Sequence, residues 1–210
     1  MNAADLFAVL ERLTVVPVVE IDDPADAAPL ARTLVGAGLP VVEITLRTPA
    51  ALESIALIAA EVPECLLGAG TLLTAAMVTD AVGAGAHFGV SAGVSTACLA
   101  AAAERDFPFI PGAATPSEIM TALDAGIRRV KFFPSEAYGG VATLKALAGP
   151  FAATGVRFMP TGGVTAANLG DYLALPTVFA VGGTWVAPRA EVAAHQWDEI
   201  GARARAVAGS

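Results

Sequence analysis

The chain has 210 residues and a net charge of −8; 55% of its residues are hydrophobic and 15% are charged, which excludes a disordered chain and fits a protein with a large core. The acidic balance without a basic stripe argues against a nucleic-acid partner, and apolar runs broken well short of about 18 residues argue against a membrane span. Two isolated cysteines and two isolated histidines have no metal-ligand spacing, so we expect a cytoplasmic protein without a metal.

The first segment predicts an amphipathic helix, because Leu6, Leu10 and Leu13 repeat at helical spacing and no basic signal-peptide start precedes them. Eight short β-rich runs follow along the chain. They are 16–21, 41–46, 66–71, 87–92, 107–112, 129–134, 157–162 and 178–183. Ala/Leu-rich segments separate these runs and carry helix-start signals. Thr115 with Glu118 forms a capping-box pattern, and Thr48 followed by proline predicts another helix start.

Eight β-runs alternating with helices indicate a parallel sheet, and eight such units close into a (β/α)8 TIM barrel. We therefore expect an α/β protein with one barrel domain over residues 1–210 and an additional N-terminal helix. A doubly wound open sheet is the structural rival. Its glycine fingerprint after the first strand is missing, because "EIDDPAD" stands there instead.

Strand alternation points three charged side chains into the barrel. In "VVEITLR" the apolar face should meet the helices, so Glu43 and Arg47 lie on the inner face. In "RRVKFFP" the same logic turns Lys131 and Phe133 inward. A lysine and a glutamate in one enclosed space favour a catalytic amine, with a buried ion pair without chemistry as the alternative. The other lysine, Lys145, is expected to be an exposed helix residue.

The ends of the strands should form the rim where this fold keeps its active sites. Arg47 ends strand 2 and offers a fork for a carboxylate, although it could instead pair with a loop acid; Thr71 ends strand 3. Glycine pairs end strands 7 and 8, where phosphate often binds in barrels, and tight turns are the alternative explanation. The phosphate candidates are Gly162, Gly163, Gly182, Gly183 and the hydroxyl of Thr184.

Together these motifs resemble the class I 2-keto-3-deoxy-6-phosphogluconate (KDPG) aldolases over nearly the whole chain. The matching segments are "EITLRT", "GAGT", "PG" at 111–112, "KFFPSEAYGG", "AGPF", "RFMPTGG", "DYLAL" and "GGTW". The resemblance implies that Lys131 forms the Schiff base and that Glu43 is the catalytic glutamate. It implies that Arg47 and Thr71 hold the pyruvate carboxylate.

The resemblance also places Phe133 and Thr161 in the pocket and the two glycine pairs with Thr184 at the phosphate. It implies cleavage of a phosphorylated 2-keto-3-deoxy sugar acid to pyruvate and glyceraldehyde 3-phosphate, no cofactor, and a homotrimer. The chain departs from the family pattern at Ala92, where a proline is usual, and at Thr184, where a serine is usual.

The resemblance leaves several activities open. A galactonate-series substrate and a side activity on 4-hydroxy-2-oxoglutarate remain possible under it. A phosphate-binding barrel epimerase or isomerase, or a non-catalytic barrel that binds a phosphorylated acid, would share the glycines but would need no imine-forming lysine.

Overall fold

Helices alternate with parallel strands throughout the structure, a computed structural model that describes residues 2–208. The elements are α1 Ala3–Leu13, β1 Val15–Val19, α2 Ala27–Gly36, β2 Val41–Thr45, α3 Ala51–Glu61, β3 Leu66–Gly70, α4 Ala75–Gly83, β4 Phe88–Val90, α5 Thr96–Ala103, β5 Phe109–Ile110, β6 Gly112–Ala113, α6 Pro116–Asp124, β7 Arg129–Phe132, α7 Gly140–Ala148, β8 Arg157–Pro160, α8 Leu169–Leu173, β9 Val181–Gly183, α9 Arg189–Ala193 and α10 Trp197–Val207. None of these helices has both the length and the apolar character needed to cross a bilayer.

The strands form two parallel sheets rather than one continuous ladder. Six strands run in the order β5-β4-β3-β2-β1-β9, and three run in the order β6-β7-β8. The predicted fifth run, 107–112, is divided at Pro111, so that β5 pairs with β4 while β6 pairs with β7. Single bridges from Phe158 to Val178 and from Thr161 to Gly182 link β8 to the segment that contains β9. The α/β class with a curled parallel sheet is thus confirmed.

The two sheets curl around a common interior. Val42 and Ile44 on the outer face of β2 have no exposed surface, and neither do Val130 and Phe132 on β7. A strand covered on both faces is typical of a parallel sheet with a shell of helices. β2 and β7 belong to different sheets, yet their inner faces meet, which places the polar residues of both strands in one space.

Helix α1 lies at the N-terminal end of the strands and is held there by charge. The Glu11 carboxylate lies 2.7 Å from Arg129, the first residue of β7, and 2.7 Å from Arg157, the first residue of β8. Burial acts to raise the pKa of Glu11, but hydrogen bonds and charge from the two guanidiniums hold it below its ordinary value. The Arg129 guanidinium also covers the rings of Phe7 and Phe179. The predicted site residues Arg47 and Thr71 lie at the opposite, C-terminal end of the strands.

The helix-start predictions have different outcomes. The capping box is present, since Thr115 accepts from the N–H of Glu118 and the Glu118 carboxylate accepts from the N–H of Thr115. The start predicted at Thr48 is wrong: α3 begins at Ala51 without a side-chain cap. The Thr48 hydroxyl donates to the carbonyl of Ile21 at 2.5 Å, which ties this segment to the residues that follow β1.

Candidate active site

Lys131 and Glu43 meet inside the sheets. The Lys131 Nζ lies 3.4 Å from Glu43 Oε1, and the two side chains are only 7% and 0% exposed. Gly112 is the register neighbour of Lys131 on β6 and contributes no side chain beside it. The ring of Phe133 lies 5.3 Å from Nζ and forms an apolar wall that also attracts the ammonium. The amine is therefore enclosed, and little of its surface is open to solvent.

Only one of the two oxygens of the Glu43 carboxylate has a partner within the part of the protein that the structure describes. Its Oε2 is buried and has no hydrogen-bond partner among the described residues. Space for the carboxylate comes from Gly70 on the adjacent strand, where an added Cβ would lie 2.2 Å from Glu43 Oε1. A buried acceptor without a partner costs free energy, and such groups are a recurring feature of functional sites. The unpaired oxygen can accept a proton from a substrate or a water.

The two predicted carboxylate ligands lie on the rim in different states. Thr71 follows Gly70 and has a φ of 60°, a conformation that a β-branched residue adopts only under constraint from its surroundings. Arg47 lies two residues beyond β2, and its Nη1 is 2.5 Å from Glu20 Oε1. The structure therefore pairs Arg47 with a loop acid, which is the alternative that the sequence left open for this arginine.

The two glycine pairs lie side by side. Gly162 and Gly163 have φ values of 93° and 84°, which only glycine adopts readily. An added Cβ at Gly182 would lie 2.3 Å from the hydroxyl oxygen of Thr161, so the two loops are in close contact. Thr161 is 3% exposed. Thr184, in contrast, is exposed. The structure thus brings the two glycine loops together. Thr184, which follows Gly183, lies at their solvent-exposed edge.

A hydroxyl and carboxylate network joins the lysine loop to the glycine loop. The N–H groups of Ser135 and Glu136 donate to the carbonyls of Thr161 and Gly162 at 2.8 and 3.0 Å. The Tyr172 hydroxyl lies 2.6 Å from Ser135 Oγ and donates to the Glu136 carboxylate. Burial first, and then the bond to Glu136, raises the pKa of Tyr172 to about 12. The "DYLAL" segment of the resemblance contains this tyrosine, but its contacts could not be predicted, because its partners lie far away along the chain.

A second network that sequence reasoning missed lies at the rim around Arg47. Glu20, which directly follows β1, contacts Arg47 through one carboxylate oxygen and Arg189 through the other. Arg189 also forms a two-pronged contact with Asp22. A signal for Glu20 was available, since it lies near the C-terminal end of the first β-run just as Arg47 lies near the end of the second.

Other polar groups of the chain do not add to this site. In residues 2–208 no three His, Cys, Asp or Glu side chains come together as metal ligands would. Both cysteines are free and buried, and burial raises the pKa of Cys65 to about 12, which makes it a poor nucleophile. A groove of about 1190 Å³ between α1, α5 and α6 contains none of the predicted site residues.

Comparisons with known proteins agree on one family. A family model described as KDPG and KHG aldolase matches residues 6–203. The 2-dehydro-3-deoxy-phosphogluconate aldolase of Dickeya dadantii is 47% identical over 197 residues, which are 93% of this chain and 92% of that protein.

Solved structures give the same result. The KDPG aldolase of Legionella pneumophila, with pyruvate captured as a covalent carbinolamine intermediate, is 41% identical with a TM-score of 0.92; the match covers 97% of this chain and 98% of that one. The corresponding aldolase of Zymomonas mobilis ZM4 with 3-phosphoglycerate is 41% identical with a TM-score of 0.89; the match covers 99% of this chain and 96% of that one.

Proposed function

The chain belongs to the KDPG and KHG aldolase family and is a lyase that cleaves KDPG to pyruvate and glyceraldehyde 3-phosphate; we propose that it does so through an imine on Lys131, with Glu43 transferring protons. The observation that carries this proposal is the buried contact between the Lys131 amine and a Glu43 carboxylate with one unpaired oxygen. A purely structural ion pair would gain stability from partners on both oxygens.

The reaction begins with attack of the Lys131 amine on the C2 ketone. Loss of water gives an iminium, which serves as an electron sink for the next step. Glu43 removes the proton of the C4 hydroxyl, and the electrons of the C3–C4 bond move into the iminium to give an enamine as glyceraldehyde 3-phosphate departs. Glu43 then returns a proton to the enamine, and water releases pyruvate from Lys131.

Binding of the substrate ends is proposed for the two parts of the rim. Arg47 and Thr71 hold the carboxylate, for which the planar guanidinium fork is suited. The glycine loops hold the phosphate through Thr184 and their backbone N–H groups, because glycine lets the backbone approach an anion closely. Phe133 and Thr161 are proposed to line the pocket between these two ends, and Phe133 is close to both Lys131 and the Gly162 loop.

Borohydride trapping with pyruvate tests the imine. The wild-type protein should gain one reduced pyruvyl adduct that maps to Lys131 by mass spectrometry, and Lys131→Met should gain none. Lys145→Met is the matched control, because Lys145 is the only other lysine and is exposed on α7. An adduct on Lys145, or none at all, would refute the proposal and favour an epimerase or isomerase. An adduct without substrate cleavage would favour a non-catalytic binding protein.

The phosphate site has a separate test. If the glycine loops bind phosphate, the substrate without its phosphate should lose at least about tenfold in kcat/KM, the scale of one lost charge-assisted contact. Equal values for both substrates would rule the site out. The relative named for the gluconate series supports that epimer over the galactonate one, and we propose cleavage of 4-hydroxy-2-oxoglutarate to pyruvate and glyoxylate as a second activity.

We also propose that the two sheets are parts of one closed (β/α)8 barrel over residues 1–210. Three features support closure: the split at Pro111, the bridges between β8 and β9, and the contact between Lys131 and Glu43 across the interior. The resemblance further suggests a homotrimer in the cytoplasm. Exposed apolar side chains at Leu73, Met120 and Tyr138 are compatible with assembly. Sedimentation at three times the mass of the 21.1-kDa chain would support the trimer.

A further inference from the structure

Three neighbouring strand ends are tied together at the rim by a chain of four charges. Glu20 follows β1, Arg47 follows β2, and Arg189 begins α9 after β9; these three strands are adjacent in the larger sheet. Glu20 Oε1 lies 2.5 Å from Arg47 Nη1, and Glu20 Oε2 lies 3.1 Å from Arg189 Nη1. Arg189 in turn grips Asp22 at 2.8 and 2.6 Å. One carboxylate therefore serves two guanidiniums.

The Glu20 carboxylate occupies Nη1 of Arg47, one of the N–H groups that could otherwise bind a substrate carboxylate. We propose that Glu20 competes with the substrate carboxylate for Arg47. Arg189 makes the release of Arg47 easier, because it remains paired with Glu20. The inference rests on the proposed function, in which Arg47 binds that carboxylate. The Arg47 side chain is 59% exposed and so has room to reorient, while Glu20 is only 20% exposed.

Arg189 keeps the Glu20 carboxylate paired when Arg47 moves away from it. A partly buried carboxylate that loses its only partner pays a desolvation cost. Glu20 keeps a second partner in Arg189, which is itself held in position by the fork on Asp22. The cost of freeing Arg47 is thereby reduced. Without Arg189, Glu20 would hold Arg47 more firmly and the substrate would bind less well.

The test measures the pyruvate concentration that half-saturates the borohydride-trapped adduct, together with the maximum adduct yield. Glu20→Gln should lower the half-saturating concentration by about two- to five-fold, the effect of one exposed ion pair. Arg189→Gln should raise it by a similar factor. The double variant should behave like Glu20→Gln, because Arg189 acts only through Glu20. The maximum yield should not change, since neither residue touches Lys131.

Two controls separate this competition from a general change of charge. Asp22→Asn removes the same charge from the same rim but contacts only Arg189, so it should not lower the half-saturating concentration. Methyl pyruvate has no free carboxylate, so its adduct should form equally well in the wild type and in Glu20→Gln.

Each outcome has a definite meaning. An unchanged Glu20→Gln, an equal decrease in Asp22→Asn, or a double variant like Arg189→Gln overturns the inference while the proposed function stands. A wild-type protein that forms no pyruvate adduct on Lys131 overturns the proposed function, and the inference falls with it. Opposite shifts in the two single variants, absent with methyl pyruvate, establish the competition.

Discussion

Two cations on β7 meet their carboxylates in opposite ways, although they lie two residues apart on one face of the strand. Arg129, at the N-terminal end, contacts Glu11 at 2.7 Å, and the other Glu11 oxygen contacts Arg157 at 2.7 Å. Lys131, nearer the rim, reaches Glu43 only at 3.4 Å, and the second Glu43 oxygen has no partner. Both oxygens of the partly exposed Glu11 have partners, whereas one oxygen of the fully buried Glu43 has none within residues 2–208.

This difference is the reverse of what stability alone would favour. A buried ion pair offsets its desolvation only when the geometry is good and every remaining lone pair is used, whereas a partly exposed pair loses little if it is imperfect. Glu11 follows this logic with both of its oxygens and ties α1 to two strands, although the buried Nε atoms of Arg129 and Arg157 have no hydrogen-bond partner among the described residues. Glu43 does not follow this logic, which supports the proton-transfer role proposed for it. Under the proposed function, the ion pair at the N-terminal end thus has a structural role and the pair nearer the rim a chemical one.

Glu43→Gln tests the chemical half of the comparison and carries the largest expected effect. Without a carboxylate to move protons, kcat for KDPG cleavage should fall by about 10²- to 10⁴-fold. Trapping of pyruvate on Lys131 should persist, because the amine is intact. Steady-state cleavage assays and mass spectrometry measure the two steps separately. A variant that cleaves within about tenfold of the wild-type rate would remove Glu43 from the proposed role.

Only the Lys131–Glu43 half of this contrast could be predicted from the sequence, because it follows from strand periodicity. Alternation in "VVEITLR" and "RRVKFFP" placed Glu43 and Lys131 on inner faces. The alternation of β-runs and helices indicated the α/β class as well. The ends of elements were less predictable. Thr48 is not a helix cap, because α3 begins three residues later, at Ala51, and the Thr48 hydroxyl contacts the carbonyl of Ile21 beyond β1.

Lys131→Met tests the stability of the buried pair. It leaves Glu43 buried with no countercharge, so the free energy of unfolding should fall by about 3–5 kcal/mol. The double variant Lys131→Met/Glu43→Gln should recover most of that loss, since neither buried charge remains. Denaturant unfolding of the wild type and both variants measures this. Equal stability of the single and double variants would mean that the pair is not electrostatically coupled.

The parts of the site that escaped prediction all depend on side-chain contacts between distant segments. The partner of Arg47 is Glu20 on another loop, and the partner of Glu20 is Arg189 near the end of the chain. Tyr172 joins the lysine loop from a helix that follows β8. Periodicity assigns a residue to a face, but it does not say which side chains on separate loops come within hydrogen-bond distance.

Glu11→Gln tests the structural half of the comparison and carries the smallest expected effect. The amide keeps an acceptor oxygen but loses the charge that two arginines share, so stability at neutral pH should fall by about 1 kcal/mol. Cleavage activity should be unchanged, because α1 lies at the end of the strands away from Lys131. Glu61→Gln, which breaks the more exposed pair with Arg32, is the matched control and should cost less.

The pH dependence of Glu11→Gln identifies the source of that loss. The pKa of Glu11 in the folded protein lies below its ordinary value of 4.5. The carboxylate therefore contributes its full stabilisation above about pH 4.5 and loses it as the pH falls through the lower, folded value. Thermal unfolding curves of the wild type and Glu11→Gln should converge under acidic conditions. A difference in Tm that persists unchanged to about pH 3 would mean that packing, and not the Glu11 charge, fastens α1 to β7 and β8.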